Sequence, residues 1–411
     1  MSILFGHPSG NPNSYNVAMG YLEVGLLECF CVAWMPSTKT IDVLKGFRPL
    51  RPFGQRLERR LFSPLSQAPK VQNRVGEICR LVVRASALSD AQASDRANRW
   101  ASNRASRWLM RTMARESHRS AVIAVHAYED CSLWQFMEAK RLGKRCIYDM
   151  PTCYYAAWEK IQSELLQKYP DWFPDNWSTT ADDRRLEQKR QEMTLADLTL
   201  VPSRFVEATI REVHPQKDIA LAPYGVDVEF WAPGPTNKPP GPLRFIYAGN
   251  VSVRKGVPLL IEAWSRAELR DAELVLVGHW GLADSKRRSL PPGIKWFPPC
   301  SSQALRDRYR GSHVFVFQSF AEGLALVLLE AMACGLPVIA SEPSGVCEIM
   351  TAGCGFVTPP GDLDRLVELL RWCDQHRDEL PAMGRAARAQ ASLCTWSNYR
   401  SLVTQAVSKL L

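Results

Sequence analysis

The stretch Phe317-Gln318-Ser319-Phe320-Ala321-Glu322-Gly323-Leu324-Ala325-Leu326-Val327-Leu328-Leu329-Glu330-Ala331-Met332-Ala333-Cys334-Gly335-Leu336-Pro337 decides the fold. It reads as the end of a buried strand near Phe317, a short loop carrying Ser319 and Glu322, and a helix from Gly323. Gly335 stops that helix and Pro337 opens the next strand. The backbone N–H groups of Gly323, Leu324 and Ala325 then point out of the helix N-terminus, a ready site for phosphate. Glu322 and Glu330 are eight positions apart, about two helical turns, so both can face one cleft at different depths. Carboxylates beside a phosphate site repel the phosphate but accept well from hydroxyl groups. An ordinary loop acid and an ordinary helix acid account for the spacing equally well.

The same alternation continues on either side. Apolar runs at Arg244–Ala248, Glu273–Val277, Val314–Phe317 and Pro337–Ala340 read as buried strands. Helical patterns at Val257–Glu268, Ser302–Tyr309 and Leu324–Cys334 lie between them. Strands alternating with helices predict a parallel sheet wound on both faces. The first half repeats the theme, with strands at Ser2–Phe5, Cys29–Trp34, Val122–His126, Arg145–Tyr148 and Leu198–Val201, and helix from Tyr154 to about Met193. Between the halves, residues 233–242 hold five prolines and two glycines and read as a linker or long surface loop. The expected architecture is α/β: two doubly wound, Rossmann-like domains facing across a cleft. The boundaries are residues 1–222, 223–390, and a C-terminal helix at 391–411 packing back on the first domain. Ligands of such sheets sit at the carboxyl ends of the strands.

A second cluster supports the first. Phe245–Asn250 ends a strand, and Val251-Ser252-Val253-Arg254-Lys255-Gly256 leads into a helix. Two adjacent cations there oppose the helix dipole, which a diphosphate would offset without a metal; a solvated Arg-Lys pair is the alternative.

Together these segments resemble the retaining nucleotide-sugar glycosyltransferases of family 4, the group 1 glycosyltransferases of GT-B architecture. The resemblance rests on Glu322 and Glu330 within Ser-x-x-Glu-Gly…Leu-Leu-Glu-Ala-Met-Ala-x-Gly-x-Pro-Val, with Arg254-Lys255-Gly256, Leu274–Gly278, and Tyr224-Gly225-Val226-Asp227 followed by Phe230. Leu195-Ala196-Asp197 and Pro202-Ser203 match upstream, so it covers about Leu195 to Leu370 and thins before that. It implies that Lys255, with Arg254, holds the donor diphosphate. Glu322 would accept from donor-sugar hydroxyls, the amides of Gly323, Leu324, Ala325 and Leu326 would meet phosphate, and Glu330 would hold the ribose. The loops after Gly278 and near Phe297 would frame the base. Gly10-Asn11-Pro12-Asn13-Ser14 occupies the place of the family's glycine-rich loop touching donor phosphate and acceptor.

The chain departs from the family at three places. Asn250 stands where the family often has Arg, His126-Ala127-Tyr128 replaces a His-x-His, and the first loop lacks a Gly-Gly pair. His126 is either a donor-sugar contact or a structural strand-end histidine. The implied reaction transfers a sugar with retention, stabilised by Lys255, Arg254 and the helix N-terminus. The leaving phosphate oxygen can take the acceptor proton. Asp362-Leu363-Asp364 has the look of a metal-binding Asp-x-Asp, but its place after Pro359-Pro360-Gly361 reads as a helix cap. No metal or other cofactor is expected.

Composition limits the remaining classes. The 411 residues are 46% hydrophobic and 23% charged, which excludes disorder and coiled coil as whole-chain descriptions. The net charge of +9 is local: residues 41–120 carry 17 Lys and Arg against 6 Asp and Glu. Such a field calls for an anionic partner. Within it, Asp95–Arg115 is helical in composition and carries Arg96, Arg99, Arg104, Arg107, Arg111 and Arg115. A second patch is Arg48, Arg51, Arg56, Arg59 and Arg60. At 100° per residue Ala97, Trp100, Ala101 and Trp108 form one face, with Arg104, Arg111 and Arg115 inside it. Either this helix lies at an anionic membrane surface, or its tryptophans pack on the core. Twelve scattered cysteines match no disulfide scaffold or zinc spacing, and no leader or membrane-crossing run is read. A cytoplasmic enzyme follows, one that can sit peripherally at the inner membrane face. It would take a nucleotide-sugar donor and a glycan or lipid-linked acceptor for surface polysaccharide or glycoconjugate synthesis. The competing readings are a GT-B epimerase or phosphorylase, a non-catalytic relative, and a nucleic-acid binder, for which no motif accompanies the arginines.

Overall fold

The computed structural model describes residues 1–58, 61–79, 91–174, 183–234 and 241–411, with the backbone alone at 49, 52, 55–56 and 91–102. Most of the proline-rich stretch (235–240), together with Arg59 and Arg60, therefore lies outside the described residues, as do the side chains of Arg56, Arg96, Ala97, Arg99, Trp100 and Ala101.

Two parallel sheets organise the chain. The first runs in the order β3-β2-β1-β4-β5-β6-β7. Its strands are β1 (Ser2–His7), β2 (Leu27–Val32), β3 (Lys70–Gln72), β4 (Val122–Tyr128), β5 (Arg145–Asp149), β6 (Leu198–Val201) and β7 (Ile219–Leu221). The second runs β10-β9-β8-β11-β12-β13. It contains β8 (Leu243–Ala248), β9 (Ala272–Val277), β10 (Ile294–Phe297), β11 (Val314–Phe317), β12 (Val338–Ser341) and β13 (Gly355–Thr358). Every strand pair is parallel. The α/β, doubly wound reading thus holds.

Strands buried on both faces need apolar residues on both, and β11 shows it: Val314, Phe315, Val316 and Phe317 have essentially no exposed surface. Each such aromatic contributes about 2–3 kcal/mol by leaving water. In both sheets the strand order reverses beside the first strand, between β1 and β4 and between β8 and β11. At such a reversal the connecting helices leave on opposite faces, and a crevice opens at the carboxyl edge. The loops after β8 and β11 carry Lys255 and Glu322, so topology alone makes them neighbours.

The long helical pattern after Tyr154 is two helices, Tyr155–Lys168 and Asp183–Leu195, with a single turn at Pro170–Trp172. Pro170 lacks the N–H that a continued helix requires. Asp362 caps the helix Leu363–Gln375 by accepting from the Arg365 amide at 2.9 Å.

The chain returns to the first sheet at its end. Val226 bridges Thr395, and its N–H donates to the Cys394 carbonyl at 2.9 Å. Gly225 lies so close that a Cβ on it would meet the Trp396 nitrogen at 2.3 Å. The helix Trp396–Leu410 then packs on Pro12–Glu23, where Arg400 donates to Glu23 at 2.8 Å and Asn16 at 3.0 Å.

Candidate active site

Three backbone ties and one glycine bring Lys255 to Glu322. The Phe320 N–H and the Ser319 hydroxyl both donate to the Arg254 carbonyl, at 2.9 and 3.3 Å. The Arg254 guanidinium returns a bond to the Ala321 carbonyl at 2.8 Å. Gly256 sits at φ +69°, and a Cβ there would lie 1.8 Å from the Gln318 carbonyl oxygen. Only glycine permits that crossing. Gln318 is itself held by the Thr358 hydroxyl at 2.8 Å, so the exit of β11 is fixed.

On this frame the Lys255 ammonium lies directly against the Glu322 carboxylate, with the Arg254 guanidinium 3.7 Å away. Burial, with Arg254 beside it, pushes the Lys255 pKa down to about 6. An incoming diphosphate would reverse that pressure, because it favours the charged ammonium. Glu330 lies partly buried on the helix behind, and burial raises its pKa to about 7.

The helix after this loop begins later than the sequence pattern suggests. It spans Leu326–Ala333, with Ala325 as its N-cap in extended conformation. The Ala325 N–H is taken by the Ser344 carbonyl at 3.0 Å, so it is not available to a phosphate. Gly323 and Leu324 precede the helix, and the outward first-turn amides are those of Leu326 and Val327. The displacement has a packing cause. A Cβ on Gly323 would lie 1.9 Å from the Pro151 carbonyl of the first domain, so this loop is pressed into an interdomain contact.

Gly278 and Asn250 flank the cluster. A Cβ on Gly278 would lie 1.8 Å from the Gly249 carbonyl, and its own carbonyl accepts from the Trp296 indole at 3.0 Å. Asn250 is exposed, and its carbonyl accepts from Tyr247 at 2.6 Å. The wall near Phe297 is aromatic and cationic: Arg308 sits 3.9 Å over the Phe297 ring, and Trp280 meets Trp296 edge-on at 5.9 Å.

Two candidates from the first domain stand elsewhere. Asn13 is buried in the first turn of Pro12–Glu23 beside the Tyr224 hydroxyl. His126 has no exposed surface. Its Nδ1 is 2.8 Å from the Tyr21 hydroxyl and its Nε2 is 3.7 Å from Asp149. Burial lowers its pKa, so the ring is neutral at physiological pH. In this conformation it cannot touch a sugar. His7, which the sequence reading passed over, orders the first loop instead. Its Nδ1 accepts from the Ser9 and Gly10 amides at 3.2 and 2.8 Å. A histidine closing a strand ahead of a Gly-Asn-Pro loop was its only signal.

The helical composition at Asp95–Arg115 forms the helix Ala91–Glu116. Its core-facing residues are Leu109, Met110 and Met113, while Trp108 is only half-buried and lies along the arginine face. Trp108 nonetheless packs against the core, while the side chains of Ala97, Trp100 and Ala101, the rest of that face, lie outside the described residues.

Residues 232–390 match the family model of the glycosyl transferases group 1. The match takes in the strands β8 to β13 and, with them, Arg254, Lys255, Glu322 and Glu330. The Arabidopsis thaliana sulfoquinovosyl transferase SQD2 is 28% identical over 219 residues, covering 49% of this chain and 42% of that one. The matched stretches span about half the length of such curated relatives. Among solved structures, sucrose-phosphate synthase from Thermosynechococcus elongatus superposes with a TM-score of 0.65 at 18% identity, over 100% of this chain and 99% of that one. Anabaena Alr3699/HepE in complex with UDP gives 0.61 at 15% identity, over the whole of both chains. These likenesses establish the two-domain fold. Among the described residues no His, Cys, Asp and Glu group is arranged to hold a metal ion, and no helix is long and apolar enough to cross a membrane. All twelve cysteines are free.

Proposed function

We propose that this chain is a retaining, metal-independent glycosyltransferase that moves a sugar from a nucleoside diphosphate to a glycan or lipid-linked acceptor. The observation that carries the reading is the Arg254–Lys255–Glu322 cluster at the mouth of β8 and β11, below the first turn of Leu326–Ala333. A carboxylate set against two cations accepts sugar hydroxyls, while the cations meet the diphosphate.

In this reading the bond from the anomeric carbon to the diphosphate oxygen breaks as the acceptor oxygen bonds to the same face. The acceptor proton passes to the leaving phosphate oxygen, which Lys255, Arg254 and the amides of Leu326 and Val327 stabilise. Glu330 reaches the ribose, and Gly278 and Phe297 frame the base. Asn13 and His7 belong to the loop that faces the acceptor. His126 acts beneath the cleft as a positioning residue through Tyr21 and Asp149. Work in polysaccharide or glycoconjugate synthesis, at the cytoplasmic face of a membrane, is part of the same reading.

Thermal shifts against UDP, GDP, dTDP and ADP test the donor site. One nucleotide should stabilise the protein selectively, and Lys255→Ala should sharply reduce the shift. No stabilisation by any of the four would overturn the assignment. EDTA should leave turnover unchanged; activity restored only by Mg²⁺ or Mn²⁺ would refute the metal-free route. Flotation with anionic and neutral vesicles tests the membrane placement.

A further inference from the structure

The helix Ala91–Glu116 borders a cavity of about 860 Å³ that the donor site does not use. Arg104, Arg107, Trp108, Arg111, Thr112 and Arg115 form its helical wall, opposite residues 73–79. Their spacings of three and four residues place them on one face. The lining holds four arginines, and the facing segment gives it Asn73, Val75, Gly76 and Cys79, while Glu77 in that segment is buried with an interaction of its own. Arg115 lies 3.6 Å from Glu116, and Arg111 sits 5.5 Å over the Trp134 ring. The stacking leaves the Arg111 charge unbalanced, and Arg107 lies one turn before it on the same face.

The cavity stands at the carboxyl edge of the first sheet. A Cβ on Gly6, next to the end of β1, would meet the Met113 sulfur at 2.1 Å, so Met113 is level with that edge. The helix precedes β4 by a short turn and runs against it. At 1.5 Å per residue, Arg107 lies about 9 Å farther along the axis, past the strand ends. The loop Gly10–Asn13 leaves the same edge, on the acceptor side of the cleft.

We propose that this cavity binds the phosphate or diphosphate group of the acceptor, an assignment that rests on the glycosyltransferase reading above. Paired guanidiniums grip phosphate oxygens bidentately, and Asn73, Asn103 and Thr112 offer further hydrogen bonds. Half-buried Trp108 gives a flat wall for the group attached to the phosphate. The volume accommodates a phosphate with a sugar-sized substituent.

Calorimetry with inorganic pyrophosphate on the full chain tests this, using Lys255→Ala to disable the donor site. Binding should persist in Lys255→Ala, fall at least about tenfold when Arg107→Ala and Arg111→Ala are added, and return in part with Lys at both positions. No binding in the Lys255→Ala chain, or binding indifferent to the arginine substitutions, overturns the site. The chain carrying only the two arginine substitutions should keep the nucleotide shift of the wild type, so failure of the donor reading shows separately. Two further arms distinguish sources: glucose 1-phosphate in solution, and phosphatidylcholine vesicles with and without phosphatidic acid. Arginine-dependent binding of the first supports a soluble sugar-phosphate acceptor, and of the second a lipid phosphate. Arginine-dependent binding of neither overturns the acceptor assignment.

Discussion

Glu322 and Lys255 meet because their loops leave neighbouring strands at the point where the strand order reverses. Their contact makes each the other's partner until substrate arrives. Glu322→Ala should lower kcat/KM by ~10²–10³ with the fold intact, and Lys255→Ala should weaken donor binding by about 10–100-fold. Steady-state kinetics and a melting curve on each variant check both. Wild-type turnover by Glu322→Ala would remove that residue from the chemistry. Glu330 carries a different prediction. Its folded pKa of about 7 lies above the ordinary 4.5, so the folded state holds the proton longer than the unfolded chain. Stability is therefore lost as pH rises from 4.5 through 7. Glu330→Gln removes that cost, so it should gain nothing near pH 4 and on the order of 2 kcal/mol at pH 8. Urea unfolding at the two pH values reads the difference, and a gain independent of pH would contradict it. At this scale the sequence was informative about the second domain, because strand, loop acid and helix follow one another locally. His126 was ambiguous because its burial depends on Tyr21, a residue 105 positions away.

Element boundaries show what local pattern misses. The helix after Glu322 starts at Leu326, since Ala325 spends its amide on Ser344 and Gly323 is held by Pro151. Neither contact is visible in the run of apolar residues that announced the helix. The helix Leu133–Arg141 has a similar long-range device. The buried Glu192 carboxylate accepts from the amides of Ser132, at 2.9 Å, and Leu133, at 3.1 Å, which satisfies an N-terminus that its own Ser132 side chain does not cap. Where the cap is local, it could be read: Asp362 was recognisable from the Pro-Pro-Gly before it. Asp362→Ala should cost about 1 kcal/mol of stability and leave sugar transfer unchanged. Thermal unfolding beside an activity assay measures both, and lost activity at normal stability would revive a functional role for that acid. The period of the helix Ala91–Glu116 admits two faces. Only the approach of Leu109 and Met113 to β1 selects the buried one.

The whole molecule depends on contacts between residues with no motif to announce them. Besides Gly323 against Pro151, the Arg204 N–H donates to Glu348 at 2.8 Å and the Ala283 N–H to the Trp172 carbonyl at 3.0 Å. Lys286 lies 4.9 Å over the Trp172 ring. Gly323→Ala should therefore hold the domains apart rather than unfold either. Small-angle scattering should report a larger radius of gyration, with kcat/KM down by at least about tenfold. Unchanged dimensions and full activity would show that the Pro151 contact is dispensable. The two-domain plan was legible because each sheet is built from local alternation, whereas the join is not. The paired crossings at Val226 and Thr395 set how that join can move. A single tether lets two bodies swivel about any axis. Two strands laid side by side act as a gate with one pin, leaving the second domain a swing about that line and resisting twist. A small angular change at Gly225 would therefore widen or narrow the gap between Gly323 and Pro151.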